Sequence, residues 1–332
     1  MKVLFIGGTG NISSAVSKLS LSDDVELYHL NRGNKEKIPG IKSLKVDINN
    51  FEDAKALLKS HRWDVVVNWI AFKPDDIERD FQLFKGKTRQ YIFISSASAY
   101  QKPPLNHIIT ESTPLKNPFW QYSRDKIACE DLLMKYYRDE DFPMTIVRPS
   151  HTYSTVIPIT MGGWTEYTVA DRLLKGKPVV VPGDGTSLWT LTHADDFALG
   201  FIGLMGNSHS IGEIFHITSD EVLSWNQIYH QLADALDTRA NIIHISSKKI
   251  CDFAQRFNYP LDCGSLLGDK SYSAIFDNSK IKRFVPGFVA KIPFSVGIRR
   301  TLKWFKENPD RQIINHNANR FFDQMAESWK NV

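Results

Sequence analysis

The sequence predicts an α/β fold built on a doubly wound parallel β-sheet, followed by a smaller C-terminal lobe. Apolar, β-branched segments alternate with helix-like segments over the first half of the chain. Continuous apolar strands separated by amphipathic helices are typical of a parallel sheet that helices cover on both faces. Near residue 150 the sequence changes to the loop-rich stretch RPSHTYSTVIPITMGGWTEY, which favours a second lobe.

Each predicted element can be followed along the chain. The strand-like segments are KVLFIGG, VELYHLNRG, DVVVNWIAF and QYIFISSAS, and the helix-like segments between them are NISSAVSKLS, DAKALLKSH and DIERDFQLFKG. We expect residues 1–155 to form one domain, to which segments near residues 190–220 return. Residues 156–332 should form mainly the second lobe, which binds the substrate.

Composition sets limits on the class of protein. The 332 residues are 42% hydrophobic and 23% charged, which is ordinary for a soluble globular protein of one large or two medium domains. The net charge of +4 is dispersed among acidic residues, which argues against a nucleic-acid-binding surface. The N-terminus is strand-like rather than a signal peptide, and no apolar run reaches membrane-spanning length. We therefore expect a cytoplasmic protein without nucleic-acid or membrane partners.

The three cysteines are few and far apart. Cys129, Cys251 and Cys263 are odd in number and form no Cys-x-x-Cys pair. This pattern argues against a disulfide framework and against a structural metal, and favours a reducing compartment.

A glycine-rich turn follows the first predicted strand and precedes a predicted helix. Glycine at such a turn lets the backbone approach a pyrophosphate, whose charge then lies at the amide-lined N-terminus of the helix. The strand–turn–helix context predicts a dinucleotide site of the Rossmann type, although Ser13 stands where a third glycine is usual. The expected cofactor contacts here are Gly7, Thr9, Gly10, Asn11 and Ile12.

The end of the second strand bears on the choice of cofactor. An acidic residue there binds the ribose 2′-hydroxyl of NAD, whereas an arginine accommodates the 2′-phosphate of NADP. This chain has Asn31 and Arg32 and no acid, so NADP is slightly favoured over NAD. The alternative is that Arg32 stacks on the adenine or faces water. Asp47 and Ile48, after the third strand, are expected beside the adenine.

A tyrosine and a lysine lie four residues apart in the segment FWQYSRDKIACE. On a helix, Tyr122 and Lys126 project from the same face about one turn apart. Upstream, the strand-like segment FISSASAY contains Ser95 and Ser96 at the carboxyl edge of the sheet, where open α/β sheets bind ligands. The Tyr/Lys spacing alone proves little, but the three motifs together predict one active site.

The glycine turn, the strand-end serine and the downstream Tyr-x-x-x-Lys resemble the short-chain dehydrogenase/reductase superfamily. The closer resemblance is to its extended, atypical branch, the NAD-dependent epimerase/dehydratase family. It covers nearly the whole chain, since IVRPSHTY, PGDGTSLWTLTHADDFA and IFDNSKIKR resemble later segments of that family. The resemblance implies an NAD(P)-dependent epimerase or oxidoreductase that acts at a secondary alcohol or ketone of a sugar-like molecule.

The resemblance also implies a role for individual residues. Tyr122 would be the acid/base, because a lysine ammonium and an oxidised nicotinamide nearby favour its phenolate. Lys126 would also bind the nicotinamide ribose, and Ser96 would hold the substrate oxygen. Further cofactor contacts are implied at Ala71, Ser95, Pro149 and Ser150. A homodimer is implied through the helices around residues 75–84 and 122–134.

The chain departs from the family pattern at positions that affect the reaction. Sugar dehydratases resemble one another in carrying acidic residues just after the catalytic serine, where this chain has Ala97 and Ser98. Epimerisation or simple oxidation/reduction is therefore favoured over dehydration. Nucleotide-sugar enzymes usually place arginines where this chain has Trp189 and Leu266. We therefore expect a substrate without a nucleoside diphosphate, unless another cation such as Lys270 or Arg256 replaces those arginines.

Aromatic residues are expected around the substrate, because flat rings are good platforms for sugars. Each could equally belong to the core. The predicted substrate contacts are Trp120, His151, Trp164, Tyr167 and Trp189. His193 is interpreted as a structural residue, with Asp196 as the cap of the next helix.

Two further classes of function stay open. One is a nucleotide-sugar epimerase or reductase with unusual phosphate contacts. The other is a non-catalytic NAD(P)-binding regulator or an RNA-binding relative, although regulators of this fold commonly lose the Tyr/Lys pair that this chain keeps.

Overall fold

The computed structural model describes residues 1–22, 24–34 and 37–330. Its central β-sheet contains seven strands that all run parallel. From one edge to the other, and numbered along the chain, they are β12 (Ile214–Ile217), β7 (Met144–Pro149), β5 (Tyr91–Ile94), β4 (Val65–Asn68), β1 (Lys2–Ile6), β2 (Glu26–Asn31) and β3 (Lys42–Lys45). Strands are added on both sides of β1, which is the doubly wound arrangement. The predicted α/β fold class is confirmed.

Different helices cover the two faces of this sheet. Side chains alternate along β1, so Leu4 and Ile6 pack on one face and Val3 and Phe5 on the other. The first face carries α2 (Phe51–Leu58), α3 (Pro74–Phe84) and α4 (Gln121–Glu140), and the second carries α1 (Ser13–Leu19) and α6 (Ala194–Ile202). Burial on both faces explains why the strand segments are continuously apolar.

The other elements build a second lobe with a core of its own, in which Trp225, Tyr229 and Phe305 are buried. Its strands and the short strands that join the lobes are β6 (Ile108–Ile109), β8 (His151–Tyr153), β9 (Val179–Pro182), β10 (Leu188–Trp189), β11 (Leu191–His193), β13 (Leu223–Ser224), β14 (Ile242–Ile245) and β15 (Ile275–Phe276). The helices of this lobe are α5 (Thr168–Leu174), α7 (Trp225–Ala235), α8 (Ser247–Arg256), α9 (Cys263–Ser265), α11 (Phe294–Glu307) and α12 (His316–Lys330). An exception is α10 (Ser279–Phe284), which packs against β12 of the central sheet.

These short strands pair two by two. β8 pairs with β11, β9 with β14 and β6 with β15 in parallel, whereas β10 and β13 are antiparallel. The division of the chain near residue 155 stays a prediction. α6 and β12 follow that residue in sequence, and they pack with the central sheet. Among the described residues, none of the helices combines the length and the apolar character that a membrane crossing requires.

The start of α6 corrects one prediction. The cap is His193, whose Nδ1 accepts a hydrogen bond of 3.2 Å from the backbone amide of Asp195. Asp196 lies inside the first turn instead, and its carboxylate accepts hydrogen bonds from the amides of Lys291 and Ile292. Asp196 therefore holds the segment before α11 against the N-terminus of α6.

The cysteines correct another prediction. The sulfur atoms of Cys251 and Cys263 are joined in a disulfide, with their Cα atoms 5.8 Å apart, and Cys129 is a buried free thiol. The odd count concealed this pair, because the third cysteine belongs to α4 in the other lobe. The disulfide connects α8 to the short α9.

Candidate active site

A cavity of about 810 Å³ lies at the carboxyl edge of the central sheet. Four strand ends contribute to its wall, and Trp69 is the contribution of β4. The turn after β1 supplies Gly10–Ile12, the end of β5 supplies Ser95 and Ser96, and the end of β7 supplies Pro149 and Ser150. Because parallel strands all end at the same edge, residues far apart in sequence meet here. The second lobe closes the opposite wall with residues 159–164 and 259–276.

The turn after β1 has a backbone that requires glycine. Gly7 and Gly8 both have φ of +97°, a conformation that other residues rarely adopt. A Cβ atom on Gly8 would lie 2.6 Å from Nε2 of His29. His29 is fixed by a 2.9 Å hydrogen bond with Ser17, and burial lowers its pKa to about 4. The ring beneath the turn is therefore neutral and leaves no room for a side chain.

The following residues lead from this turn into α1. The hydroxyl of Ser13 accepts a hydrogen bond of 2.8 Å from the amide of Gly10, so the serine supports the turn where a third glycine is usual. Asn11 reaches across to the second lobe, donating to the carbonyl of Thr152 at 2.9 Å and accepting from the amide of Thr155 at 3.2 Å. Ile12 lines the cavity beside it.

These features fit a dinucleotide. The glycine turn offers bare backbone at the N-terminus of α1, and a Cβ at Gly8 would collide with His29 and displace the turn. Farther along the edge, Arg32 is exposed and makes no hydrogen bond or ion pair with the residues that the structure describes, so its guanidinium is available to a ligand. Asn31 accepts a hydrogen bond from the amide of Gly33.

Seven predicted cofactor residues lie outside the cavity wall, namely Gly7, Thr9, Asn31, Arg32, Asp47, Ile48 and Ala71. Asp47 accepts a hydrogen bond of 3.0 Å from the amide of Asn49, and Ile48 is buried in the core under α2 and α3. The carbonyl oxygen of Ala71 accepts a hydrogen bond of 2.6 Å from Nζ of Lys126. The backbone carbonyl of Ala71 thus holds the ammonium of Lys126 in place.

Ser96, Tyr122 and Lys126 all line the same cavity. Lys126 is buried on α4, and its ammonium donates a second hydrogen bond, of 2.8 Å, to the carbonyl of Ile94 at the end of β5. Burial lowers its pKa to about 8. The ammonium lies 5.7 Å from the centre of the Tyr122 ring, which is the outcome of the four-residue spacing on a helix.

The phenol of Tyr122 lies between two aromatic rings. Trp120 is 4.7 Å from its ring centre and Phe72 is 6.4 Å away. Burial raises the pKa of Tyr122 to about 12, with the hydroxyl of Ser96 acting to lower it and the charge of Asp269 raising it further. Tyr122 is therefore a neutral phenol at physiological pH.

A chain of hydroxyl groups positions Ser96. The Ser96 hydroxyl shares a 2.9 Å hydrogen bond with that of Ser98, which in turn accepts one of 2.8 Å from Ser123 on α4. Ser95 behaves differently, because its hydroxyl donates to Glu130, the buried partner of Arg148. Both hydroxyls are therefore connected to α4, but Ser95 is bound to the buried Glu130–Arg148 pair, whereas Ser96 is connected through Ser98 to Ser123, the residue next to Tyr122.

The predicted substrate residues divide into two groups. Trp120, His151, Trp164 and Trp189 line the cavity. Trp120 connects the lobes, since its indole nitrogen donates a hydrogen bond of 2.8 Å to Asp262. Trp164 is 45% exposed and stacks on His151 with ring centres 5.4 Å apart, so it covers the histidine at the cavity wall. Tyr167 does not line the cavity; its ring packs 5.3 Å from that of Phe305.

Charged residues of this wall were not among the predicted contacts. Lys102, Asp262 and Asp269 line the cavity, together with Lys270, which the sequence suggested only as a substitute for a missing arginine. Lys102 lies six residues after Ser96, on the same loop at the sheet edge. This closeness in sequence to Ser96 could have identified it as a cavity residue. The three residues from the second lobe lie on the π-helical turn Leu266–Lys270 or just before it, and the sequence pattern does not predict this turn.

One buried asparagine, also not predicted, fixes the two lobes at this point. The side-chain amide of Asn117 donates to the carbonyls of Ser98 and Gly268, at 2.9 and 2.8 Å. Its oxygen accepts from the amides of Phe119 and Trp120, just before α4 begins. Asn117 therefore links the Ser96 loop, the Tyr122 helix and the π-helical turn.

Comparison with known proteins gives a family match over most of the chain. The model of the NAD dependent epimerase/dehydratase family matches residues 3–218. The chloroplast stem-loop binding protein of 41 kDa b from Arabidopsis thaliana is 25% identical over 276 residues, covering 78% of this chain and 69% of that protein. The 2′-dehydrokanamycin reductase of Streptomyces kanamyceticus is 22% identical over 295 residues, covering 87% and 80%.

A solved structure shares the whole fold. UDP-glucuronic acid 4-epimerase from Bacillus cereus, in complex with UDP-glucuronic acid and NAD, aligns with a TM-score of 0.73 at 19% identity. The alignment covers 93% of this chain and 100% of that one. At this identity the likeness concerns the fold alone.

Proposed function

Because the chain belongs to the NAD dependent epimerase/dehydratase family, we propose that it is an NAD(P)-dependent epimerase or oxidoreductase that acts at a secondary alcohol or ketone of a sugar-like molecule. The observation that carries the proposal is the common location of Ser96, Tyr122 and Lys126 on one cavity that also includes the glycine turn. Relatives named as reductases and epimerases support an enzymatic role.

The cofactor would be held at the strand ends. The backbone of Gly7–Ile12 would bind the pyrophosphate, with Lys126, Pro149 and Ser150 near the nicotinamide ribose. When bound, the nicotinamide supplies or accepts the hydride. The exposed Arg32 favours NADP slightly over NAD, because its guanidinium suits a 2′-phosphate and no acidic residue occupies this strand end.

The proton would move through Tyr122. As a neutral phenol it is ready to donate a proton to the oxygen of a ketone that is being reduced. In the opposite direction it must act as a phenolate, and the ammonium of Lys126, 5.7 Å from the ring, favours that form. Ser96 would hold the substrate oxygen beside the phenol, and the Ser98–Ser123 hydroxyl chain would fix its orientation.

Dehydration is disfavoured because the site lacks a free carboxylate in the required place. Ala97 and Ser98 stand where dehydratases resemble one another in carrying acids. Among the described residues of the cavity wall, the acids are Asp262 and Asp269. Asp262 accepts hydrogen bonds from Trp120 and Ser265, and Asp269 is paired with Lys270 at 2.7 Å.

The preferred substrate would lack a nucleoside diphosphate. Trp189 and Leu266 occupy the positions where nucleotide-sugar enzymes usually have arginines, and both line the cavity. The relative that is named for dehydrokanamycin, rather than for a nucleotide sugar, is compatible with this view. The second candidate is a nucleotide-sugar enzyme with unusual phosphate contacts. It is favoured by the cation of Lys270 on the same wall.

The test is turnover of a panel of sugars, keto sugars and nucleotide sugars, measured as the change in nicotinamide absorbance. Epimerisation leaves no net change in the cofactor, so product analysis by NMR accompanies the screen. Substrate-dependent turnover supports the proposal. Tight binding of stem-loop RNA together with no turnover on any panel member would support instead the RNA-binding alternative, which the Arabidopsis relative suggests.

A further inference from the structure

Lys102 is a buried lysine without a partner. Its side chain is 2% exposed and lines the cavity. Within the described chain its ammonium makes no hydrogen bond or ion pair, and its contact is with the ring of Tyr272, whose centre is 6.0 Å away. A buried ammonium without a partner is unfavourable, so such groups are normally paired or bind a ligand.

Lys270 is a second cation on the same wall, and the charges of the two lysines act on each other. Its ammonium donates to Asp269 at 2.7 Å, shares a 3.1 Å hydrogen bond with Nδ1 of His151, and lies 4.4 Å from the centre of the Trp189 ring. The charge of Asp269 also acts on Lys102, but among the described residues Asp269 forms its ion pair with Lys270, and no hydrogen bond or ion pair joins it to Lys102.

The π-helical turn that carries Lys270 is held firmly. The indole nitrogen of Trp225 donates a hydrogen bond of 3.1 Å to the carbonyl of Lys270, and Asn117 donates one of 2.8 Å to that of Gly268. The cation therefore has a fixed position, as a ligand site requires. Short π-helical segments are frequent at functional sites.

The described side chains of the cavity wall include more positive than negative groups. Its lysines are Lys102, Lys126 and Lys270, and its acids are Asp262 and Asp269. His151 adds no charge, because burial and the charge of Lys270 keep its pKa well below the ordinary value. Asp269 also acts electrostatically on Tyr122, so this group of charges lies on the substrate side of the cavity.

We propose that Lys102 and Lys270 bind an anionic group of the substrate, as two point charges on one wall of the cavity. The inference rests on the function proposed above and narrows its substrate class to sugars that carry a carboxylate or a phosphate ester, or, for the second candidate function, a diphosphate. All three groups offer oxygen atoms that a lysine ammonium binds through charge-assisted hydrogen bonds. The anion supplies the partner that Lys102 lacks.

The experiment is isothermal titration calorimetry of the full chain with glucuronate, glucose 6-phosphate and UDP, and with neutral glucose as the reference probe. Lys102→Met removes the charge and keeps most of the apolar volume, and Lys102→Arg keeps the charge. Lys248→Met is the matched control, because Lys248 is 83% exposed on α8. Thermal melts of each variant establish that it is folded.

We expect at least one anionic probe to bind wild type at least 10-fold more tightly than glucose. Lys102→Met should raise its Kd about 10- to 100-fold, as expected for the loss of one hydrogen bond to a charged group. Lys102→Arg should stay within a few-fold of wild type, and Lys248→Met should have no effect. The probe that binds identifies the anion as a carboxylate, a phosphate ester or a diphosphate.

Two results would overturn the inference: no anionic probe binds more tightly than glucose, or Lys102→Met binds the anion as well as wild type. Neither result depends on turnover. The proposed function fails separately, if no sugar is turned over while the anion still binds through Lys102. Conversely, if sugars are turned over while no anionic probe binds through Lys102, the anion site alone fails.

Discussion

Nζ of Lys126 lies 2.6 Å from the carbonyl oxygen of Ala71, so α4 is connected through a buried charge to the segment that follows β4. Burial lowers the pKa of this lysine to about 8, well below its ordinary value of 10.5. Charging Lys126 therefore destabilises the folded state. This destabilisation is at its full size below pH 8, decreases as the pH rises to about 10.5, and is absent above that pH.

We predict that wild type gains stability relative to Lys126→Met between pH 8 and 10.5, by up to about 3 kcal/mol. The unfolded chain binds more protons than the folded one in this interval, so stability rises with pH. Urea unfolding at several pH values measures the difference. Lys135→Met, at an exposed position of the same helix, is the control. A difference that stays flat from pH 8 to 10.5 would show that Lys126 is not perturbed.

The glycine turn gives a second prediction. Gly8→Ala places a Cβ 2.6 Å from the His29 ring at a φ of +97° and should lower the free energy of unfolding by more than about 2 kcal/mol. Gly86→Ala is the matched control, because Gly86 also has positive φ, +67°, but open space around it. The control should show only the backbone effect, about 1 kcal/mol. Equal destabilisation of the two variants would contradict the role of His29.

Cofactor preference is tested at the end of β2. Arg32→Asp should shift binding from NADP towards NAD, because a carboxylate repels a 2′-phosphate and accepts a hydrogen bond from a 2′-hydroxyl. We expect the ratio of the two dissociation constants to change by at least 10-fold, as measured by fluorescence titration. Arg62→Asp, at another exposed arginine, should leave the ratio unchanged. A wild type that already prefers NAD by 10-fold would refute the role given to Arg32.

The sequence was sufficient to predict the parallel sheet and to identify which residues lie at the ends of its strands. Apolar runs such as VVVN and YIFI can only be buried on both faces, and their carboxyl ends bring Gly10, Ser96 and Pro149 to one place. Tyr122 and Lys126 follow from helix periodicity. All these relationships are local in sequence or are fixed by the topology of a parallel sheet. They can therefore be predicted from the sequence pattern.

The cavity wall that the second lobe supplies was less predictable, because it depends on contacts between the lobes. The sequence predicts an ordinary surface lysine at Lys102, but in the folded chain it is 2% exposed and lies against Tyr272 of the second lobe. Tyr167 reads as a pocket aromatic, but packing on Phe305 turns it towards the second core. The disulfide between Cys251 and Cys263 likewise depends on how α8 and α9 fold back on each other. The homodimer stays a prediction.

The central claim is that Tyr122 carries the proton. The most direct measurement is the turnover number of Tyr122→Phe on a substrate found in the screen, with Tyr137→Phe on the same helix, outside the cavity wall, as the control. We predict that Tyr122→Phe keeps its thermal stability and its affinity for the cofactor, and that its kcat falls by about 10²- to 10⁴-fold, the usual contribution of general acid/base catalysis. Tyr137→Phe should keep the wild-type rate. A kcat of Tyr122→Phe within a few-fold of wild type would contradict the account.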